Sequence, residues 1–122
     1  MMLGRILLAL GALILIGTAV FHVTEGAETA AWLRGERGAV MQLLWHIPSL
    51  DWIVVGIAWL LIAWRGTQVS APIVWVLALV PFGTAAMIAS ALGPAFLDMW
   101  LLAGAALLAS LGALALPKRA IA

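Results

Sequence analysis

Long apolar runs alternate with short polar or turn-forming segments and divide the chain into four blocks. The blocks cover about residues 6–23, 39–64 (or only 49–64), 71–92 and 95–116. Each is close to the roughly 20 apolar residues that a helix needs to cross a bilayer. The pattern predicts an all-α fold: one transmembrane domain over residues 1–122, built as a four-helix bundle with an outer loop at 24–39.

Composition supports a membrane protein and excludes several other classes. Hydrophobic residues make up 66% of the chain and charged residues 9%, whereas a soluble domain carries about 25% charged residues. A net charge of +1 offers no basic surface for nucleic acid. The absence of cysteine excludes disulfides, thiolate metal sites and thiol redox chemistry.

The charges predict which way the bundle faces. The first segment, the loop between the second and third spans, and the C-terminal end carry only basic residues: Arg5, Arg65, Lys118 and Arg119. The opposite side holds a loop of mixed charge. Because cytoplasmic loops are enriched in Lys and Arg, we expect an inner (plasma) membrane protein with both termini in the cytoplasm.

Several repeated patterns bear on packing. Gly17-Thr18-Ala19 is echoed by Gly83-Thr84-Ala85, and the entries to the second and fourth spans both read proline, then Leu-Asp, then tryptophan. Either a two-helix hairpin was duplicated in parallel orientation or a chain of few residue types repeats by chance. Ala105, Ala109 and Ala113 recur every four residues, which predicts close helix contacts. Trp45, Trp52 and Trp59 are spaced by seven, which favours a packing or lipid-facing stripe over an aromatic ligand box.

The acids and histidines all fall in the predicted outer half, so any chemistry should sit there. His22 and His46 share a predicted depth, and together they could hold haem b or, with Glu25 or Asp51, a metal ion. The alternative is that each imidazole is a polar tip at the interface. The candidate catalytic, ligand-binding or metal residues are His22, Glu25, Trp45, His46, Asp51, Trp52 and Asp98.

Pro48 decides how Asp51 is interpreted. If the second span is continuous, Asp51 lies inside the hydrocarbon and should face a functional interior. We expect instead that the helix breaks at residues 47–48, because proline removes a backbone donor. Ser49 then caps a new helix with Asp51 in its first turn, and residues 39–45 lie in the interface. Asp98, which follows Pro94, fits the same first-turn role.

The segment 43–52 reads LLWHIPSLDW and follows a first span with a histidine near its end. It resembles small four-helix bacterial inner-membrane proteins of unassigned function that carry a Trp-His pair entering the second span. The likeness covers about the first half of the chain. It implies a four-helix fold in a bacterial inner membrane and carries no activity with it.

Three functions stay open at this point. The first is a non-catalytic component that binds lipid or packs in a homo-oligomer or larger membrane complex. The second is a membrane enzyme, or a protein binding haem or a lipophilic ligand, that uses His22, His46 and Asp51 in an outward-opening pocket. The third is an oligomeric transporter using Asp51. The absence of catalytic motifs and the apolar inner half favour the first.

Overall fold

The computed structural model describes residues 2–118, and over these residues the chain is all-α, with four long helices and no strand. A short 3-10 helix precedes the third of them. All four are long and apolar enough to cross a membrane, so the predicted number of spans is confirmed. The helices are α1 (Met2–Ala31), α2 (Glu36–Arg65), α3 (Ala71–Leu92) and α4 (Leu97–Leu114), with the 3-10 helix at Gln68–Ser70.

The first two helices are much longer than the last. At 1.5 Å per residue, the 30 residues of α1 or α2 span about 45 Å, and the 18 residues of α4 about 27 Å. The expected loop at 24–39 is therefore mostly helical: only 32–35 interrupt the hairpin, at Gly35 with its φ of 64°. No proline occurs between residues 24 and 47, so nothing stops either helix earlier.

α1 and α4 form the close pair at the centre of the bundle. α1 packs against α2 and α4, α3 packs mainly against α4, and α2 approaches α3 at few points. A Cβ atom on Gly11 would lie 2.7 Å from the Ala105 carbonyl oxygen, and one on Gly112 would lie 2.6 Å from the Leu8 nitrogen. Ala105, Ala109 and Ala113 are fully buried along this contact, which confirms the close packing that their spacing predicts.

Tryptophans occupy the space beside α2. Trp52 and Trp59 are 1% and 0% exposed and belong to the same buried cluster as Val74 and Ala78 of α3. The predicted stripe is thus a packing stripe, and its bulk explains why the α2 and α3 backbones come close at few points. Large apolar side chains elsewhere point outward, as lipid-facing positions do. Examples are Leu13, Val54, Leu79 and Leu107.

Three chain segments meet at one end of the bundle. The backbone N–H of Gln68 donates to the Pro117 carbonyl oxygen over 2.9 Å, and Gly4 lies against the Ala115 backbone. The basic residues Arg5, Arg65 and Lys118 therefore share this end, whereas all five acids lie toward the other. Arg119, which belongs to the same predicted set, lies outside the described residues.

Candidate functional site

His22 joins α1 to α2 through two polar contacts. Its Nδ1 atom lies 2.9 Å from the Ser49 Oγ atom and 3.1 Å from the Trp45 carbonyl oxygen. A carbonyl oxygen only accepts, so the contact with Trp45 is a hydrogen bond in the tautomer that carries hydrogen on Nδ1. Ser49, which is 1% exposed, donates its own hydroxyl hydrogen to the same Trp45 carbonyl over 2.8 Å. The three groups form a closed network around one backbone oxygen.

The Trp45 carbonyl belongs to the turn of α2 that precedes Pro48. Pro48 lies inside α2, where it offers no N–H to the Leu44 carbonyl and its ring disturbs the turn before it. In transmembrane helices, neighbouring helices and Ser or Thr side chains supply the hydrogen bonds that such a turn loses. Ser49 bonds to this turn from within α2, and His22 contacts it from α1, both at the Trp45 carbonyl beside that of Leu44. The network ties α1 to the proline-bearing turn.

The same network corrects the predicted break. α2 runs continuously from Glu36 to Arg65, so residues 39–45 are part of it and are not a separate interfacial stretch. Ser49 caps no helix, because its hydroxyl bonds backward along α2. Asp51 lies in mid-helix and outside any first turn. The prediction failed because a proline inside a transmembrane helix removes one backbone hydrogen bond without ending the helix.

Aromatic rings surround the imidazole. The Trp45 ring stacks on His22 with centroids 4.3 Å apart and planes 28° apart, and Trp52 meets it edge-on at 4.9 Å. Gly26 lies one turn after His22 on α1, and a Cβ atom there would lie 2.6 Å from the Cβ atom of Trp45. Only glycine at this position leaves room for the indole. We call His22, Trp45, Ser49 and Trp52 the His22 network.

α4 adds a carboxylate to this level of the bundle. Asp98 lies in the first turn of α4, where the positive end of the helix dipole favours an anion. Its first-turn position is confirmed, and its side chain is partly buried. It lies within Coulombic range of His22. Hydroxyl, imidazole and carboxylate thus come from three different helices to one depth.

The other candidates stand apart from this centre. Asp51 and Glu25 are exposed on their helices, and half-buried His46 has no hydrogen bond among residues 2–118. Successive residues of a helix turn by about 100°, so His46 faces away from the side on which Trp45 meets His22. Asp51 is displaced from Trp52 in the same way. The structure therefore does not assemble the expected His22–His46–Asp51 cluster.

Metal and haem ligation find little support in this arrangement. Within residues 2–118 no group of three or more His, Asp or Glu side chains could hold a metal ion. Trp45 covers one face of the His22 ring, and Trp52 meets the ring edge-on. Two axial imidazoles must reach one iron from opposite faces of the haem, and His46 lies on a different face of α2 from Trp45, which stacks on His22.

The sequence analysis did not predict that Ser49 belongs to the His22 network. It also did not predict that Gly26 leaves the space that the Trp45 indole occupies. A signal for the first was present: serine directly after proline in an apolar helix is well placed to bond the preceding turn. No comparable signal marked Gly26. Its role depends on how α1 is rotated against α2, which the sequence pattern does not contain.

An apolar groove lies on another part of the molecule, between α3 and α4. It encloses about 460 Å³ and is lined mostly by aromatic and small apolar side chains. The indole N–H groups of Trp75 and Trp100 donate to the carbonyl oxygens of Ser110 and Pro94. Their polar atoms are thus satisfied within the protein, and the groove presents hydrocarbon to any occupant.

No family model matches the chain, and comparison with curated proteins and with solved structures finds no match either. The chemistry of the site therefore follows from its own geometry. It consists of an enclosed hydroxyl, an imidazole with one committed nitrogen, and a nearby carboxylate. What these groups can do depends on whether a substrate can reach them.

Proposed function

We propose that this protein is a non-catalytic, multi-pass membrane component that associates with lipid or with other membrane proteins. One observation carries the proposal: His22 and Ser49, the best-placed reactive groups, both lie within hydrogen-bond distance of the Trp45 carbonyl oxygen. Their role is to hold α1 against the proline-bearing turn of α2. In this interpretation the polar layer stabilises the fold and carries out no reaction.

A serine–histidine hydrolase needs the opposite arrangement. There the imidazole accepts the serine proton at a lone pair, and the serine oxygen reaches the substrate. Here the Ser49 hydroxyl donates to the Trp45 carbonyl oxygen, which the Nδ1 atom of His22 also contacts. With 1% of its surface exposed, Ser49 offers no approach to a substrate.

A fluorophosphonate probe, which reacts with activated serines, tests this proposal directly. We expect the purified protein in mild detergent to give the same labelling as its Ser49→Ala variant. A known serine hydrolase added to the same sample shows that the probe is active. Labelling of Ser49 that disappears in His22→Ala would overturn the proposal, because it would show a working nucleophile and base.

Location and orientation form part of the proposal. We infer a bacterial inner-membrane protein with both termini in the cytoplasm. Support comes from the basic end with Arg5, Arg65 and Lys118, opposite an end that carries every acid. The length of the α1–α2 hairpin agrees: residues 23–31 add about 13 Å beyond the level of His22, enough to reach water on the outer side.

Duplication of a two-helix hairpin also stays a proposal. Thr18 and Thr84 occupy matching places in the two Gly-Thr-Ala segments, and each donates to the carbonyl four residues earlier, Ile14 over 2.8 Å and Val80 over 2.9 Å. The helices around them differ in length, since α1 and α2 are the longer pair. Thr29, outside both segments, makes the same bond to Glu25, so the proposal rests on the sequence match alone.

A second candidate function is binding of a lipophilic molecule in the α3–α4 groove. The observation that favours it is a space of about 460 Å³ walled by Phe82, Trp100 and neighbouring small residues. A brominated fatty acid placed in this groove should quench the fluorescence of Trp100. Trp75 also lines the groove, so unchanged quenching in a variant with both Trp75→Phe and Trp100→Phe would show that the groove is not the binding place.

A further inference from the structure

A second polar feature lies at the other end of the bundle, where α2 ends. Arg65 is the last residue of α2, and its guanidinium carbon lies 4.6 Å from the Trp64 ring centroid. A hollow of about 430 Å³ opens beside it. Its walls are Leu61, Ile62, Trp64, Arg65, Gly66 and Ser70. The hollow therefore combines hydrocarbon on α2 with a cation at its rim.

The protein itself supplies no acidic side chain to neutralise this cation. All five acids of the chain are at positions 25, 28, 36, 51 and 98, toward the opposite end. The Ser70 hydroxyl forms no capping bond to α3, so it is free to bond a ligand. A guanidinium and a hydroxyl above an apolar wall match an anion that is joined to a hydrocarbon chain.

Arg5 strengthens the match from the other side of the same indole. A neighbouring hollow of about 310 Å³ is lined by Arg5 of α1 together with Leu60, Ala63 and Trp64 of α2. Trp64 thus separates two hollows, each with one arginine. Tryptophan is enriched at the headgroup level of bilayers, and basic pockets between transmembrane helices bind anionic lipid headgroups.

We propose that the Arg65 hollow binds the phosphate of an anionic phospholipid, with the acyl chains running along Leu61 and Ile62. Arginine suits this role because its planar fork bonds two phosphate oxygens at once. The proposal deepens the suggested association with lipid, and it is independent of the His22 network. Probe labelling at Ser49 and lipid binding at Arg65 can therefore fail separately.

Native mass spectrometry of delipidated protein tests the site. Phosphatidylglycerol and phosphatidylcholine with the same acyl chains are added in equal amounts, and we expect the protein to retain phosphatidylglycerol in preference. Arg65→Gln should weaken that retention about fivefold, the effect of one interfacial basic residue. Arg34→Gln removes the same charge at the exposed opposite end and should leave retention unchanged.

Three results would overturn the site. They are equal retention of the two lipids by the unaltered protein, equal losses in Arg65→Gln and Arg34→Gln, and binding of inorganic phosphate that equals binding of phosphatidylglycerol. The last would mean a soluble phosphate site. Because Arg65→Gln could disturb folding, helicity is measured by circular dichroism, and Arg65→Lys and Ser70→Ala serve as milder variants. Partial loss in both supports the site, and full retention in both contradicts it.

Discussion

The Nδ1 atom of His22 lies 3.1 Å from the carbonyl oxygen of Trp45, three residues before Pro48. This contact links the C-terminal half of α1 to the turn of α2 that contains Pro48. Ser49 donates to the same oxygen from within α2, so both side chains converge on one carbonyl. His22, a candidate metal or haem ligand in the sequence, thus contacts the backbone of α2.

Removing the imidazole should destabilise the fold. We expect His22→Ala to lower the free energy of unfolding by about 1–2 kcal/mol, through the lost interhelical hydrogen bond and the lost stacking on Trp45. His22→Asn should lose less stability, because its amide nitrogen, like Nδ1, is bonded to Cγ and can reach the same carbonyl oxygen. Unfolding in mixed micelles measures this. His46→Ala is the matched control, and an equal loss of stability there would contradict the stabilising role of His22.

Pro48 and His22 should be energetically coupled. Pro48→Ala restores the backbone N–H that bonds to the Leu44 carbonyl, next to that of Trp45, so the turn depends less on contacts from outside α2. We expect His22→Ala to cost less in the Pro48→Ala background than in the unaltered protein, with a coupling of about 0.5–1 kcal/mol. A double-mutant cycle of unfolding free energies provides the measurement. Additive effects would show that His22 does not act on the proline-bearing turn.

The α1–α4 contact should tolerate no side chain at Gly11. A Cβ atom there would lie 2.7 Å from the Ala105 carbonyl oxygen, so Gly11→Val should force the helices apart and cost about 1–3 kcal/mol. Gly17, on the same helix, has nothing within 4 Å of its own Cβ position. Gly17→Val is therefore the control and should be neutral within about 0.5 kcal/mol. Equal stability of the two variants would rule out the close contact.

Single cysteines should report the orientation, since the native chain has none to remove. Glu28→Cys, on the exposed part of α1, should react with a membrane-impermeant maleimide added outside intact bacterial cells. Gln68→Cys, at the basic end, should react only after the membrane is opened. The reverse pattern would place the termini outside, and labelling of both from outside would refute a four-span arrangement.

Absorption spectroscopy should settle the haem hypothesis. We expect protein purified from cells supplied with haem precursor to show no Soret band, because the His22 ring is packed against Trp45 and Trp52 and His46 faces elsewhere. A Soret band that persists through purification, and that each of the single variants His22→Ala and His46→Ala lacks, would contradict this expectation and establish bis-histidine ligation.

The spans were predictable from the sequence because the membrane demands long apolar runs, and residues 71–92 coincide with α3. The course of α2 was not. Pro48 removes a backbone hydrogen bond, which in a sequence favours a helix end. The contact of His22 with the same turn comes from a different helix, and no local pattern shows it. The depth of His22 and Asp98 could also be counted along the chain. Their approach depends on the rotation of α1 and α4, which apolar sequences do not reveal.

The pairing of α1 with α4 has a consequence for biosynthesis. The glycine face of α1, with Gly4 and Gly11, has its nearest contacts on the last helix and the turn after it. A nascent chain that has inserted three spans still shows this face to lipid, so the central contact forms only after the ribosome has completed the fourth span. Insertion and assembly are thereby separated in time. A chain truncated before Leu97 should insert and then be cleared by proteases that recognise unassembled helices.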